Sequence, residues 1–504
     1  MFKRLIIIVA SVIAAKKIRR WSLSPHKTQN SVFKKLINEA KNTSFGLDHS
    51  FELINSYKDF KKRVPIRDYE GFTEYIELIK KDQKNVLWPG LPKYFALTSG
   101  TTSGTKYIPI TKESLPEHIK ASKNAMLMYI AETKDASFIS GKFIFLQGTP
   151  KLNNLGKIKI GRLSGIVAHH VPPYLQSNRL PSMKTNSIDD WEKKVDKIVE
   201  ETINENMTLI SGIPSWVQMY FEKIKEKRGV SIGEVFKNFN MFIYGGVNFK
   251  PYKKKFNELI GRKINSIELY TASEGFFAFQ DSQKNKDLLL LLNSGIFYEF
   301  IIAEDFINNE YERLDISQVK LNVNYVLIIS TNAGLWAYNT GDTVIFTSLL
   351  PYKILVTGRV KHFISAFGEH VIVKEVEQAI NLMTKTLNIA VTEFSVAPKV
   401  NTINELPYHE WFIEISSKKY DIDKMQEILD KSIQDQNKYY LDLIQGNILQ
   451  SLKIQVVKKN GFRSYMHSKN KLGGQFKIPK LSNDRNIANA LYNLNLIEDP
   501  KALK

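Results

Sequence analysis

Residues 97–111 read LTSGTTSGTKYIPIT. The apolar lead-in Tyr94-Phe95-Ala96-Leu97 has the look of a short strand, and Thr, Ser, Gly and Lys fill every position from 98 to 106. Apolar positions resume at Tyr107, Ile108 and Ile110. The segment combines little side-chain bulk, many hydroxyls and two glycines, Gly100 and Gly104. A backbone of this kind can approach a polyphosphate closely and offer it N–H groups, with the hydroxyls and Lys106 as further donors. A P-loop is excluded. That pattern needs four residues between its glycines and then Gly-Lys-Ser/Thr, whereas three separate Gly100 from Gly104 and Tyr107 follows Lys106. A plain polar surface loop stays open as the alternative.

A chain of 504 residues exceeds one ordinary core, so two or more domains are expected. Hydrophobic residues at 43% and charged residues at 24% fit a soluble globular protein. Cysteine is absent, which rules out disulfides and thiolate chemistry and fits a reducing compartment, the cytoplasm. The formal charge of +20 invites a polyanion partner. The lysines are nevertheless spread along the chain with no block of five or six like charges, and no nucleic-acid signature stands out. No nucleic-acid partner is expected, and a monomer is.

The N-terminus holds an apolar run, Leu5 to Ala15, between Lys3-Arg4 and Lys16-Lys17-Arg19-Arg20. Eleven residues cannot cross a bilayer as a helix. Three readings stay open: a first helix docked on the body, an interfacial anchor through residues 1–20, and a signal core with a poor cleavage site.

Onward, Pro25 to Phe60 is helical in pattern, punctuated at Thr43–Gly46, and Phe72 to Ile79 is helical again. Ser114 and Pro116 open a helix to about Ala131, with Ser114 as its cap. Strand-like runs at 142–147, 207–213, 241–246 and 264–270 alternate with helices at 215–227 and 251–259. That alternation predicts an α/β sheet of doubly wound character, with ligands at the loops that end its strands. From Leu288 short β-like runs succeed one another to Thr357, a small barrel or meander. Beyond Gly358-Arg359, strands mix with helices, the first helix at 373–383. The predicted organisation is a large N-terminal α/β domain of mixed sheets flanked by helices with a small β-barrel-like part, 1–357, and a smaller α+β domain, 358–504.

Four polar signatures fall at loop positions: TSGTTSGTK (98–106), YTASEG (270–275), YNTGD (338–342) and GGQFKIP (473–479). Their order and spacing resemble the adenylate-forming superfamily of acyl-CoA ligases, luciferases and peptide synthetases. VPIRDYEGF (64–72), SGIPSW (211–216), GIFYEF (295–300) and AGLWAYNTGD (333–342) resemble one branch of it. That branch is the auxin-responsive Gretchen Hagen family of acyl-acid amido synthetases, in its bacterial form.

The resemblance implies that ATP and a small carboxylic acid form an acyl-adenylate, which an amino-acid amine then attacks. It implies that Thr98, Ser99, Gly100, Thr101, Thr102 and Ser103 hold the β- and γ-phosphates, Thr98 and Ser99 with a catalytic part. Tyr270 would lie against adenine with Ser273 nearby, Glu274 would bind Mg²⁺, and Asp342 would accept from the ribose with Arg359 assisting at a hinge. Lys477, on a mobile domain, would stabilise charge at the α-phosphate. The residues also admit plainer roles: Tyr270 as core, Asp342 as turn chemistry, Glu274 as a helix cap, Lys477 as a solvated charge. Asn339 stands where the superfamily often has Arg. His169-His170 suit either an acyl pocket or simple structure. The rivals are an acyl-CoA-type ligase and a catalytically silent protein held at a membrane face.

Overall fold

The computed structural model describes residues 2–99, 105–171, 176–246, 249, 253–307, 311–359, 363–364, 366–369, 371–402, 405–417, 419–469 and 478–499. Packing separates two units. One comprises Met1–Asp189, Lys193–Gly246 and Lys255–Val360; the other comprises Lys361–Lys504 with Asp190–Glu192 and Val247–Lys254.

In the first unit β1 (Tyr94–Ser99) pairs antiparallel with β2 (Thr105–Ile110), from Tyr94↔Ile110 to Ser99↔Thr105. The hydroxyl-rich stretch therefore lies between two strands, not between a strand and a helix, and β2 is an element the pattern did not announce. β3 (Lys142–Leu146), β4 (Asn153–Leu155) and β5 (Ile158–Gly161) follow, and β1, β2, β4 and β5 make a four-stranded sheet in the order β2-β1-β5-β4.

The main sheet has eleven strands. β6 (Arg179–Leu180), β3, β7 (Met207–Gly212), β8 (Met241–Gly245) and β9 (Asn265–Ala272) run parallel. β7 and most of β8 are buried at every position, because strands covered on both faces read as unbroken apolar runs. Between β7 and β8 the helix Pro214–Arg228 starts on proline, whose missing N–H costs nothing there, and stops at Gly229 with φ +71°. β10 (Gly275–Gln280) turns back on β9, and β11 (Leu288–Leu290) pairs with β10. β12 (Ile296–Ile302), β13 (Asn324–Thr331), β14 (Tyr338–Leu349) and β15 (Tyr352–Arg359) form an antiparallel meander. The sheet order is β12-β13-β14-β15-β11-β10-β9-β8-β7-β3-β6, so the meander extends the parallel sheet instead of standing apart.

Helices cover this framework. The expected helical run from Pro25 to Phe60 is broken: Pro25–Ala40 ends before a short helix, Ser44–Asp48, that Thr43 caps by accepting from the Gly46 N–H. Buried Gln29 donates to the carbonyls of Leu292 and Ile296 and accepts from the Tyr298 N–H, which ties the Pro25–Ala40 helix to β12. The helix Ser114–Thr133 has Glu113, not Ser114, at its cap position. Ser114 instead exchanges hydrogen bonds with Thr111. Phe2–Ser22 is a helix packed along Ser114–Thr133, with Ala15 and Ile18 buried among Ala121, Ala125 and Met128.

The second unit has β16 (Phe363–Ile364), β17 (Val371–Ile372) and a sheet of β18 (Val391–Lys399), β19 (Tyr408–Ile415) and β20 (Lys453–Val457). The helices Val373–Leu387 and Ile422–Gln436 pack together. His409 and Glu369 meet at 2.8 Å in its interior. Past residue 477 the chain runs along β18: buried Ile478 leads to the Pro479 carbonyl, which accepts from Ser395, and Leu481 bridges Val396.

One buried ion pair holds the 57–64 segment to the meander. Arg313 (8% exposed) forks onto Glu299 (0%) at 2.9 and 3.0 Å and also donates to the Val64 carbonyl, while Tyr57 donates to Glu299 at 3.0 Å. Glu299→Ala strands a buried guanidinium, which typically costs about 3–5 kcal/mol. Urea unfolding should show a loss of that size. A loss under about 1 kcal/mol would mean the pair is solvated like a surface pair.

Candidate active site

The site starts where β9 turns into β10. Ala272 pairs with Gly275, so Ser273 and Glu274 form a two-residue turn at the carboxyl end of a parallel strand, the place where open α/β sheets put ligands. Glu274 is thus a turn residue and caps no helix. Tyr270 precedes the turn, its ring 4.9 Å from that of Phe277.

The second element is a bulge in β14. Val326 pairs with Thr343 and Ile328 with Asn339, so β14 carries two extra residues across that step. Asn339 Oδ1 accepts from the Gly341 N–H at 2.8 Å, Thr340 Oγ1 accepts from the Asp342 N–H at 3.1 Å, and Thr340 donates to the Leu327 carbonyl. Gly341 sits at φ +77°, a backbone state that glycine adopts without a Cβ penalty. Bulges re-aim side chains, and this one turns Asp342 toward β9: the Tyr270 hydroxyl donates to Asp342 Oδ2 at 2.7 Å. β9 and β14 are four strand spacings apart in the sheet order, roughly 19 Å if the sheet were flat. The contact requires the sheet to curl back on itself, which is the barrel-like part of the fold. The Tyr338 hydroxyl makes a parallel reach to Glu274 Oε1 at 3.3 Å.

The third element is the segment 64–72, which fastens the hydroxyl-rich hairpin to the bulge. The Tyr69 hydroxyl accepts from the Tyr107 N–H at 2.8 Å, on β2. Two residues earlier, Arg67 takes a hydrogen bond from Asn339 N at 2.7 Å and gives its own N–H to the Ala337 carbonyl. Its guanidinium donates to His49 Nε2 at 2.8 Å. Burial lowers the His49 pKa and Arg67 lowers it further, so the neutral ring accepts. Lys80 lies 3.8 Å from the Tyr107 ring centroid and Lys106 5.5 Å from that of Tyr69.

Three domain descriptions match the chain: the GH3 family N-terminal domain over residues 14–169, the GH3 family central domain over 289–359 and the GH3 family C-terminal domain over 374–486. The chain belongs to the GH3 family. It is 21% identical over 541 aligned residues to the jasmonoyl–L-amino acid synthetase JAR4 of Nicotiana attenuata, covering 92% of each chain. Among solved structures it resembles the GH3.15 acyl acid amido synthetase, with a TM-score of 0.59, 14% identity and 95% of each chain covered. It also resembles 2-hydroxyisobutyryl-CoA ligase, with a TM-score of 0.58, 14% identity, and 94% of this chain and 92% of that one covered.

Of the candidate residues named from the sequence, the structure joins Tyr270 to Asp342, and it brings Tyr338 to Glu274. Ser273 sits beside Glu274. Arg359 stands opposite Asp342 in the β14–β15 register. Thr98 and Ser99 end β1. Gly100, Thr101, Thr102, Ser103 and Lys477 lie outside the described residues. His169 bonds the Pro150 carbonyl and His170 the Tyr94 hydroxyl. Tyr69, Arg67 and Tyr338 carry site contacts that the sequence reading quoted within motifs but gave no role. Lys194 carried no signal: buried, it donates to the Gln147 carbonyl just past β3, and burial with the Arg162 charge pushes its pKa down to about 8.

Tyr69→Phe leaves the part-buried Tyr107 N–H without its acceptor, at about 1–3 kcal/mol. Hydrogen exchange at the Tyr107 amide should quicken roughly tenfold or more. Unchanged protection would mean another group holds the hairpin.

Proposed function

We propose that this GH3 protein is an AMP-forming carbon–nitrogen ligase that activates a small carboxylic acid with ATP and conjugates it to an amino acid. The observation that supports the reading is the linkage of three motifs: segment 64–72 fastens the hydroxyl-rich hairpin to the β14 bulge, and Tyr270–Asp342 and Tyr338–Glu274 join that strand to the β9–β10 turn, in a chain whose N-terminal, central and C-terminal parts all match GH3 domains.

The hydroxyl-rich stretch, Thr98 to Ser103, holds the β- and γ-phosphates through N–H and O–H donors, with Thr98 and Ser99 orienting them for departure. The ring of Tyr270 lies against adenine, with Ser273 beside it. The same Tyr270 hydroxyl fixes one oxygen of Asp342, and a carboxylate retains further lone pairs for the ribose hydroxyls. Arg359, opposite Asp342, assists. Glu274 suits Mg²⁺. Among the described residues no cluster of three or more His, Asp or Glu could hold a metal, and a lone carboxylate is the donor set of an ion otherwise bound by water and phosphate oxygens. When bound, the ion neutralises phosphate charge.

In the first step a carboxylate oxygen of the acid attacks the α-phosphorus and pyrophosphate leaves. Lys477 stabilises the charge that gathers at the α-phosphate, the kind of term that dominates such steps. In the second, the amine attacks the acyl carbon and AMP departs with the bonding pair. The enzyme works as a monomer in the cytoplasm.

Mass spectrometry of a reaction with ATP, Mg²⁺ and panels of acids and amino acids should find an acyl–amino-acid amide and AMP. Acyl-coenzyme A as sole product, when coenzyme A is supplied, would instead establish the thiol rival.

Lys477→Ala should slow adenylate formation by roughly 10²-fold or more. ATP affinity by calorimetry should hold, and so should amide formation from a synthetic acyl-adenylate. Equal damage to both steps would refute the assignment of Lys477 to the first.

A further inference from the structure

The helix Phe2–Ser22 has a second face that no described residue covers. Its inner face, marked by Ile7, Ile8, Ala15 and Ile18, packs on the body, and Arg4 donates twice to the Ser140 hydroxyl. Its outer face over the first turns is apolar: Leu5, Ile6, Val9, Val12 and Ile13 are 36–61% exposed. Buried positions at 11, 15, 18 and 22 and exposed ones at 5, 9, 12, 13 and 16 follow the helical period, so the two faces are opposite stripes. Toward the carboxyl end the exposed surface changes from apolar to basic, with Lys16, Lys17, Arg19 and Arg20. Nine Lys and Arg residues precede the first acidic residue of the chain, Glu39.

We propose that this helix seats the enzyme in the plane of an anionic lipid bilayer. Leu5, Ile6, Val9 and Ile13 enter the acyl boundary, and the Lys16–Arg20 cations meet the headgroups. Charge decides for this occupant. Apolar contact with an adjacent basic cluster is the combination by which surface helices hold anionic lipid. A second copy would bring two such clusters, on chains of +20 each, against one another. Length decides for the plane. The exposed apolar stretch from Leu5 to Ile13 is about 13 Å long as a helix, against about 30 Å of hydrocarbon, and no described helix is long and apolar enough to cross a membrane. Because the inner face stays packed, the helix needs no rearrangement to bind.

The test is co-sedimentation of the full chain with vesicles of phosphatidylcholine alone and with about 30 mol% phosphatidylglycerol. Binding is expected to the anionic vesicles, at least tenfold weaker on the neutral ones and at about 0.5 M salt. Val9→Asp with Ile13→Asp, both at exposed sites, should cut binding tenfold or more with an unchanged melting temperature. Lys16→Gln with Arg20→Gln should do the same without touching the apolar face. Three results would overturn the proposal: no binding to anionic vesicles, equal binding of either double variant, or a wild-type dimer in sedimentation equilibrium that Val9→Asp with Ile13→Asp dissociates.

Discussion

The candidate site exists because the eleven-stranded sheet curls. Laid flat, β9 and β14 would stand too far apart for any tyrosine to span, yet Tyr270 and Asp342 meet at 2.7 Å. The hydrogen bond is not what bends the sheet. A bond to a charged group contributes about 1.5–3 kcal/mol. The apolar packing of the meander is far larger: Phe300, Tyr325, Phe346 and Tyr352 interlock edge to face inside it. At about 25 cal/mol per Å² of buried apolar surface, several such rings outweigh the bond. The core sets the curvature, the curvature brings the β14 bulge over the β9–β10 turn, and the hydrogen bond fixes the side chains within that frame.

The bulge gives this arrangement its direction. In a regular strand the residues at 340 and 342 would share one face at fixed spacing. Two additional residues break that register, and the Asn339 and Thr340 side chains satisfy the backbone groups that the ladder can no longer pair. Asn339 is therefore spent on holding its own loop. Where the superfamily often presents an arginine, this chain has a side chain tied to the Gly341 N–H, so cationic help at that point is missing or comes from elsewhere.

Legibility in the sequence followed burial and locality. β7, β8, β12 and β13 were readable to within two residues because two-sided burial leaves an apolar run that local turn residues terminate. β9 and β15 were readable to the same margin although they are only partly buried. The start of β14 was not, since Asn-Thr-Gly-Asp has the composition of a turn and the structure folds it as a bulge inside a strand. β2 was hidden because its first residues, Thr105 and Lys106, belong by composition to the polar run. Ser114 looks like a cap, and only the side chain of Thr111 reveals that it bonds backward. Of the candidate residues that the structure brings into contact, Tyr270, Glu274 and Asp342 stood out in the sequence through motif order. The duties of Tyr69, Arg67 and Tyr338 were not, because each lies in a contact with a residue 38 to 272 positions away, which no local pattern encodes.

The choice of acceptor cannot reside in this framework. The chain resembles an acyl acid amido synthetase and a CoA ligase to nearly the same degree, with TM-scores of 0.59 and 0.58 at the same 14% identity. The fold alone therefore does not separate amine from thiol, and the discrimination falls to side chains. One buried group with unusual chemistry is Lys194, which donates to the Gln147 carbonyl just past β3. Burial and the Arg162 charge lower its pKa to about 8, so the ammonium is still mostly charged near neutral pH but gives up its proton more readily than an exposed lysine does.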